Sequence, residues 1–245
     1  ISLRATGLEP HMSLAIDIAF YAAFALFGAA AVTSYLYLRA DKEGMLGVKQ
    51  RAIAVAAGLL FVAFCLRWAS YGRIPLTNMV DIVNLLLVMS TAIVLTLVRR
   101  ESLRALVCYY APPLAALSLL NVLLGFNKLH QEPKALNDTF LAIHVGLAFL
   151  AYALFLIASL TSFVYIVQAR RLKSPQTSAG TAKLPPLEHL DATLYRLITW
   201  GYPFFAITLV LGFIGSYLYP DELGARWWLS AKIFYAVFMA ALYSF

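Results

Sequence analysis

Residues 141–173 read LAIHVGLAFLAYALFLIASLTSFVYIVQARRLK, and this stretch decides the fold class. Its apolar run exceeds the roughly 20 residues that a helix needs to cross the hydrocarbon core of a bilayer. Its far end carries Arg170, Arg171 and Lys173, and basic residues gather on the cytoplasmic side of membrane helices. The histidine within the run, His144, requires an explanation because ionisable side chains are costly inside a membrane.

The whole chain has the composition of a multi-span membrane protein. Of its 245 residues, 62% are hydrophobic and 13% are charged, whereas a soluble domain is about half apolar and a quarter charged. We therefore predict an all-α fold, a polytopic transmembrane helix bundle of about seven spans. The predicted spans cover residues 13–39, 52–71, 77–98, 104–125, 138–168, 191–219 and 227–245.

The basic residues indicate how the bundle is oriented. The formal net charge is +7, but the charges lie mainly in short loops between apolar runs, so membrane lipid rather than nucleic acid is the expected partner. The positive-inside rule then places the N-terminus outside. The inner loops hold Arg39, Lys42, Lys49, Arg51, Arg99, Arg100, Arg104, Arg170, Arg171, Lys173 and Lys183, and the outer loops hold Arg4, Arg73, Lys128, Lys134 and Arg226.

We predict a single membrane domain over residues 1–245. Residues 169–190 include the polar stretch SPQTSAGTAKLPP and are predicted to form a flexible cytoplasmic linker loop. The final run, AKIFYAVFMAALYSF, has no polar flank, so we expect the chain to be truncated after residue 245. Both cysteines, Cys65 and Cys108, lie in apolar runs and no CxxC occurs, which excludes a disulfide framework, a c-type cytochrome and a thiol reductase.

Two kinds of role are open for His144. It is either a structural histidine satisfied by one hydrogen bond to a neighbouring helix, or a functional residue such as a haem ligand, metal ligand or proton relay. Ala148 and Ala151 follow on the same helix face. Their small side chains leave room either for a flat ligand or for close packing of another helix.

Charged residues gather near the predicted outer ends of the second and third spans. Arg67 is expected either to pair with Asp81 across the hairpin or, like Arg73, to receive a carboxylate such as a haem propionate. The guanidinium group suits the second role because it binds a carboxylate through two parallel hydrogen bonds.

Aromatic residues and a second histidine lie on the same predicted side. Trp227 and Trp228 open the last span and belong either to an interfacial aromatic belt or to a ligand site, and Trp68 lies at the outer end of the second span. His130, in the outer loop FNKLHQEPKALND, is either an ordinary loop residue or a second axial ligand.

Three stretches resemble one known family when they are taken in order. PLTNMVDIVNLLL (75–87), the stretch quoted first (141–173), and LDATLYRLITWGYPFFAITLVLGFIGSYL (190–218) are similar to successive parts of the cytochrome c assembly proteins of the CcsA/ResC type. The resemblance covers most of the chain from about residue 66 to 243. It implies that His144 is an axial ligand of haem b near the outer leaflet. It also implies that Trp68, Trp227 and Trp228 form an apolar ledge and that Arg67 or Arg73 meets the propionates.

One segment departs from the family pattern. The synthetases carry a tryptophan-rich segment of the form WGxxWxWDPKE, whereas YPDELGARWWLSAKIF (219–234) keeps only Trp227 and Trp228. A complete cytochrome c synthetase is therefore not expected, and the chain resembles more closely the HemX-like branch, which lacks an intact motif.

The function implied is haem handling in cytochrome c biogenesis or haem biosynthesis, with b-type haem bound or presented at the outer leaflet of a bacterial inner membrane. An apocytochrome c or an assembly subunit is the partner expected outside. Two alternatives stay open. One is a non-catalytic regulator or scaffold whose basic inner loops dock a haem-biosynthetic enzyme, and the other is an accessory subunit of a membrane redox complex.

Overall fold

The computed structural model describes residues 10–40, 45–71, 75, 79–123, 139–173, 184–218 and 231–243. Every regular element within these ranges is helical, which confirms the predicted all-α class. In this part of the chain six helices are long and apolar enough to cross a membrane, and a further apolar helix is shorter. The helices are α1 (Pro10–Ala40), α2 (Met45–Tyr71), α3 (Met79–Leu97), α4 (Val107–Leu123, preceded by a 3₁₀ helix over Glu101–Leu106), α5 (Thr139–Lys173), α6 (Leu187–Leu218) and α7 (Ala231–Tyr243).

The helices extend further than the predicted spans around the linker. Both ends of the predicted linker 169–190 are helical, because α5 continues to Lys173 and α6 begins at Leu187. Basic residues in a last helical turn interact favourably with the helix dipole, and burial of Leu190 fixes the first turn of α6. Residues 174–183 lie outside the described residues.

The bundle is organised around two groups of helices. α1 packs on α2 and α4, and α3 contacts α2, α4 and α5. α5 and α6 form the most extensive helix pair, and α7 packs on α6. A large core that includes Phe20, Leu87 and Ile157 joins helices of both groups, while Ala151, Phe155 and Phe205 form a smaller core between α5 and α6. The α5–α6 interface therefore positions His144.

One end of the bundle is basic. Arg99, Arg100, Arg104, Arg170 and Arg171 are all exposed there. We call this the inner end and the opposite one the outer end, in keeping with the predicted orientation.

Lys49 does not lie in a loop, contrary to the prediction. It belongs to α2 and is only 1% exposed. Its Nζ lies 3.4 Å from Sγ of Cys108 and 4.2 Å from the centroid of the Tyr37 ring. The sulfur atom and the aromatic face give the amine favourable contacts inside the bundle. α2 also begins at Met45, before the predicted start at residue 52.

Candidate functional site

His144 lies in the second turn of α5 and faces α6. Its side chain is half-buried. A Cβ atom added to Gly212 of α6 would lie 3.1 Å from Cε1 of the imidazole, 3.9 Å from Nδ1 and 4.0 Å from Nε2. The ring therefore occupies the space that any larger residue at Gly212 would fill.

Two buried polar atoms at this contact have no hydrogen-bond partner in the described part of the chain. They are Nδ1 of His144 and Oγ1 of Thr208. Thr208 precedes Gly212 by one helical turn, so both lie on the same face of α6. The main-chain carbonyl of Thr208 lies close enough to the imidazole to act as an acceptor, but Nδ1 meets no partner with full hydrogen-bond geometry. The structural role and the ligand role of His144 therefore both stay predictions.

The helix face below His144 is packed. Ala148 is buried, and Ala151 is fully buried in the small core with Phe155 and Phe205. The small side chain of Ala151 thus permits close packing of α6, the second of the two predicted possibilities. Any ligand of His144 must approach from the half-buried side of the ring.

Arg67 forms a buried ion pair with Asp81. Its Nη1 lies 2.6 Å from Oδ1 of the carboxylate, and the two side chains are 7% and 4% exposed. Pairing across the α2–α3 hairpin, one of the two predicted roles of Arg67, is confirmed. One turn further along α3, Nδ2 of Asn121 donates a hydrogen bond of 2.6 Å to Oδ1 of Asn84, so a buried polar cluster joins α2, α3 and α4.

The other predicted site residues either belong to a different helix pairing or fall outside the described residues. His144 contacts α6, whereas Arg67 pairs with α3, so the two residues belong to different helix interfaces. Trp68 follows Arg67 on α2 and is 46% exposed. Arg73, His130, Trp227 and Trp228 lie outside the described residues.

Thr208 and Gly212 were not among the site residues predicted from the sequence. Their spacing of four residues places them side by side on one face of an apolar helix, which indicates a face with small and polar side chains. Many helices carry such pairs, so the pattern alone does not identify a site. Among the described residues no group of three or more histidine, cysteine, aspartate or glutamate side chains could hold a metal ion. A haem iron needs only one or two protein ligands, so a single histidine at a helix interface is compatible with that cofactor.

Comparison with known proteins identifies the family. The sequence model described as Cytochrome C assembly protein matches residues 54–244. The chain is 26% identical over 255 aligned residues to a cytochrome c biogenesis protein CcsA of Prochlorococcus marinus, covering 92% of this chain and 76% of that protein. No solved structure matches the chain significantly.

Proteins named HemX are also similar over a shorter region. The chain is 30% identical over 109 residues to HemX of Brevibacillus brevis, covering 44% of this chain and 39% of that protein. The match to HemX of Bacillus subtilis is 30% over 105 residues, with 43% and 37% covered. The chain thus spans well under two thirds of these two relatives. Because the family match extends over most of the chain, the protein belongs to the cytochrome c assembly protein family.

Proposed function

We propose that this membrane protein binds haem b near the outer end of the bundle and presents it during cytochrome c biogenesis or haem biosynthesis. The observation that carries the proposal is the setting of His144. Its imidazole rests on Gly212, and its Nδ1 is buried without a partner. A membrane helix has few reasons to keep a polar ring in this state unless the ring has a ligand to bind.

The chemistry of His144 and its surroundings is suited to holding a haem group. A half-buried imidazole in a membrane helix is chemically suited to a haem-iron site, because imidazole is a common axial ligand. His144 would supply that ligand, and bound haem would supply a redox-active iron or a porphyrin for transfer to another protein. His130 is proposed as the second axial ligand.

The remaining predicted residues would hold the porphyrin. Arg73 is proposed to receive a propionate. Arg67, whose Nη1 is paired with Asp81, is the alternative proposed for this role. Trp68, Trp227 and Trp228 would contribute apolar surface. An apocytochrome c or an assembly subunit is the proposed partner at this end of the bundle, and a bacterial inner membrane is the proposed location.

The test is a reduced-minus-oxidised visible spectrum of the purified protein in mild detergent. The variant is His144→Ala, and the matched control is His189→Ala, because His189 is exposed at the inner end of α6. We expect Soret and α bands in the parent protein and in the control, and weakened or shifted bands in His144→Ala. Unchanged bands in His144→Ala would remove His144 as the ligand.

A second result would overturn haem binding itself. If neither parent nor control carries haem after expression with excess haem and gentle extraction, the chain does not bind haem by itself. Co-purification of a cytosolic haem-biosynthetic enzyme in that experiment would then support the regulator or scaffold function instead.

A further inference from the structure

We propose that Thr208 and Gly212 are positioning residues for His144, which hold its ring and choose which ring nitrogen faces the ligand. This inference rests on the proposed haem function. In the proposed arrangement, Gly212 leaves the space that the His144 imidazole occupies. The Thr208 hydroxyl accepts a hydrogen bond from the Nδ1–H group, so that Nε2 keeps its lone pair for the iron.

The contact at Gly212 is specific to His144. The nearest atoms to an added Cβ at Gly212 are three atoms of the His144 ring, the closest at 3.1 Å. By contrast, an added Cβ at Gly28, Gly58 or Gly146 would have no neighbour within 4 Å. A methyl group at Gly212 would therefore displace the imidazole, whereas a methyl group at Gly146, on the same helix as His144, would not.

The two orphaned atoms complement each other chemically. Nδ1 of His144 and Oγ1 of Thr208 are both buried without a partner, and the ring already lies against the Thr208 main chain. Rotation of the threonine side chain about χ1 moves Oγ1 between staggered positions. A hydrogen bond from Nδ1–H to Oγ1 would satisfy both atoms at once.

That hydrogen bond would select the tautomer of the imidazole. A neutral imidazole carries its proton on one nitrogen and its lone pair on the other. Histidines that bind metals almost always donate their second N–H group to a partner, which fixes the ring orientation, and loss of that partner typically costs 10–100-fold in affinity. Thr208 lies one helical turn before the Gly212 contact, and its unpartnered hydroxyl can play this part for His144.

The first experiment measures haem affinity and the midpoint potential of Thr208→Val, Thr208→Ser and Gly212→Ala. We expect about 10–100-fold weaker haem binding and a shifted potential in Thr208→Val and Gly212→Ala, with recovery in Thr208→Ser. The matched controls are Thr199→Val, which changes an exposed threonine on α6, and Gly146→Ala. Parent-like haem binding and potential in both Thr208→Val and Gly212→Ala would overturn the inference.

A second experiment separates this inference from the proposed function because it needs no haem. Nitrogen-15 NMR of histidine-labelled, haem-free protein reports which ring nitrogen is protonated, and His144→Ala assigns the signal. We expect His144 to carry its proton on Nδ1 in the parent and in Thr208→Ser, and a mixture of tautomers in Thr208→Val. If the parent protein binds no haem, the proposed function fails, while the tautomer of His144 still decides the role of Thr208. A proton on Nε2 in the parent would contradict that role.

Discussion

Nη1 of Arg67 lies 2.6 Å from Oδ1 of Asp81, and both side chains are buried between α2 and α3. Two charges taken out of water are stabilised only if they remain paired, because each one alone carries a large desolvation penalty. The pair therefore links the outer ends of two consecutive helices. Removing one partner should lower the free energy of unfolding more than removing both, and this difference can be measured.

Asp81→Ala is expected to lower the free energy of unfolding in detergent by about 3–5 kcal/mol, because it leaves the Arg67 guanidinium buried without its carboxylate. The double variant Arg67→Met with Asp81→Leu is expected to lose much less. Denaturant titration followed by circular dichroism measures both. A double variant less stable than Asp81→Ala would contradict the argument.

The neighbouring amide pair is expected to contribute less. Asn121 donates to Asn84 across 2.6 Å in the buried cluster, and hydrogen bonds between membrane helices average about 0.6 kcal/mol, with a maximum near 1.7. A double-mutant cycle with Asn84→Ala and Asn121→Ala should give a coupling energy in this range. A coupling energy of zero would show that the two amides contribute independently.

The two partners of the hydrogen bond between Tyr110 and Thr161 are expected to differ in how much stability is lost when each is replaced. The two side-chain oxygens are 2.7 Å apart. Because the Thr161 hydroxyl donates to the carbonyl of Ile157, the Tyr110 hydroxyl is the donor between them. Tyr110→Phe leaves Thr161 bonded and is expected to cost about 1 kcal/mol.

Thr161→Val instead leaves the fully buried Tyr110 hydroxyl without an acceptor, and should cost about 1–3 kcal/mol. The same unfolding titration compares the two variants, with Thr199→Val as a control for threonine removal on an exposed helix face. Equal losses from Tyr110→Phe and Thr161→Val would show that the donor assignment is wrong.

Gly201 is expected to be the least tolerant glycine of the α5–α6 interface. An added Cβ there would lie 2.8 Å from Cε1 of Phe155, and that ring is held edge-on against Phe205. Gly201→Ala should therefore lower the free energy of unfolding by about 1–3 kcal/mol.

The control for Gly201 is Gly58→Ala in α2, where an added Cβ has open space and a gain of about 0.5–1 kcal/mol is expected. Phe155→Leu in the Gly201→Ala background should recover part of the loss. If Phe155→Leu recovers none of the stability lost in Gly201→Ala, the loss comes from a shift of the backbone and not from a clash with the Phe155 ring.

The sequence predicted the features that depend on one helix or one hairpin. Apolar run lengths predicted the order of the helices and six of the long ones, because a span must satisfy its own backbone hydrogen bonds, whereas the predicted seventh span is a helix of 13 residues among those described. Arg67 and Asp81 are only 14 residues apart, and a short turn brings the ends of consecutive spans together, so their pairing was among the predicted possibilities.

Contacts that depend on helix rotation could not be predicted. The contact of His144 with Gly212 joins helices separated by a long linker and requires a particular rotation of α6 about its axis. The burial of Lys49 was missed for a related reason. Its charge suggests an interface position, and only the packed bundle brings Cys108 and Tyr37 to its amine.

The lengths of α5 and α6 have a consequence for the inner surface. These helices contain 35 and 32 residues, or about 52 and 48 Å at 1.5 Å per residue, against a hydrocarbon core of about 30 Å. Even a tilt of about 40°, the upper end of the observed range, leaves roughly 7–10 Å of each helix outside the core. If the outer ends lie at the edge of the core, this excess crosses the inner headgroup layer of about 5–7 Å, and at smaller tilts it projects beyond that layer as a two-helix stalk. A soluble protein docking there would meet this stalk at a height set by local bilayer thickness.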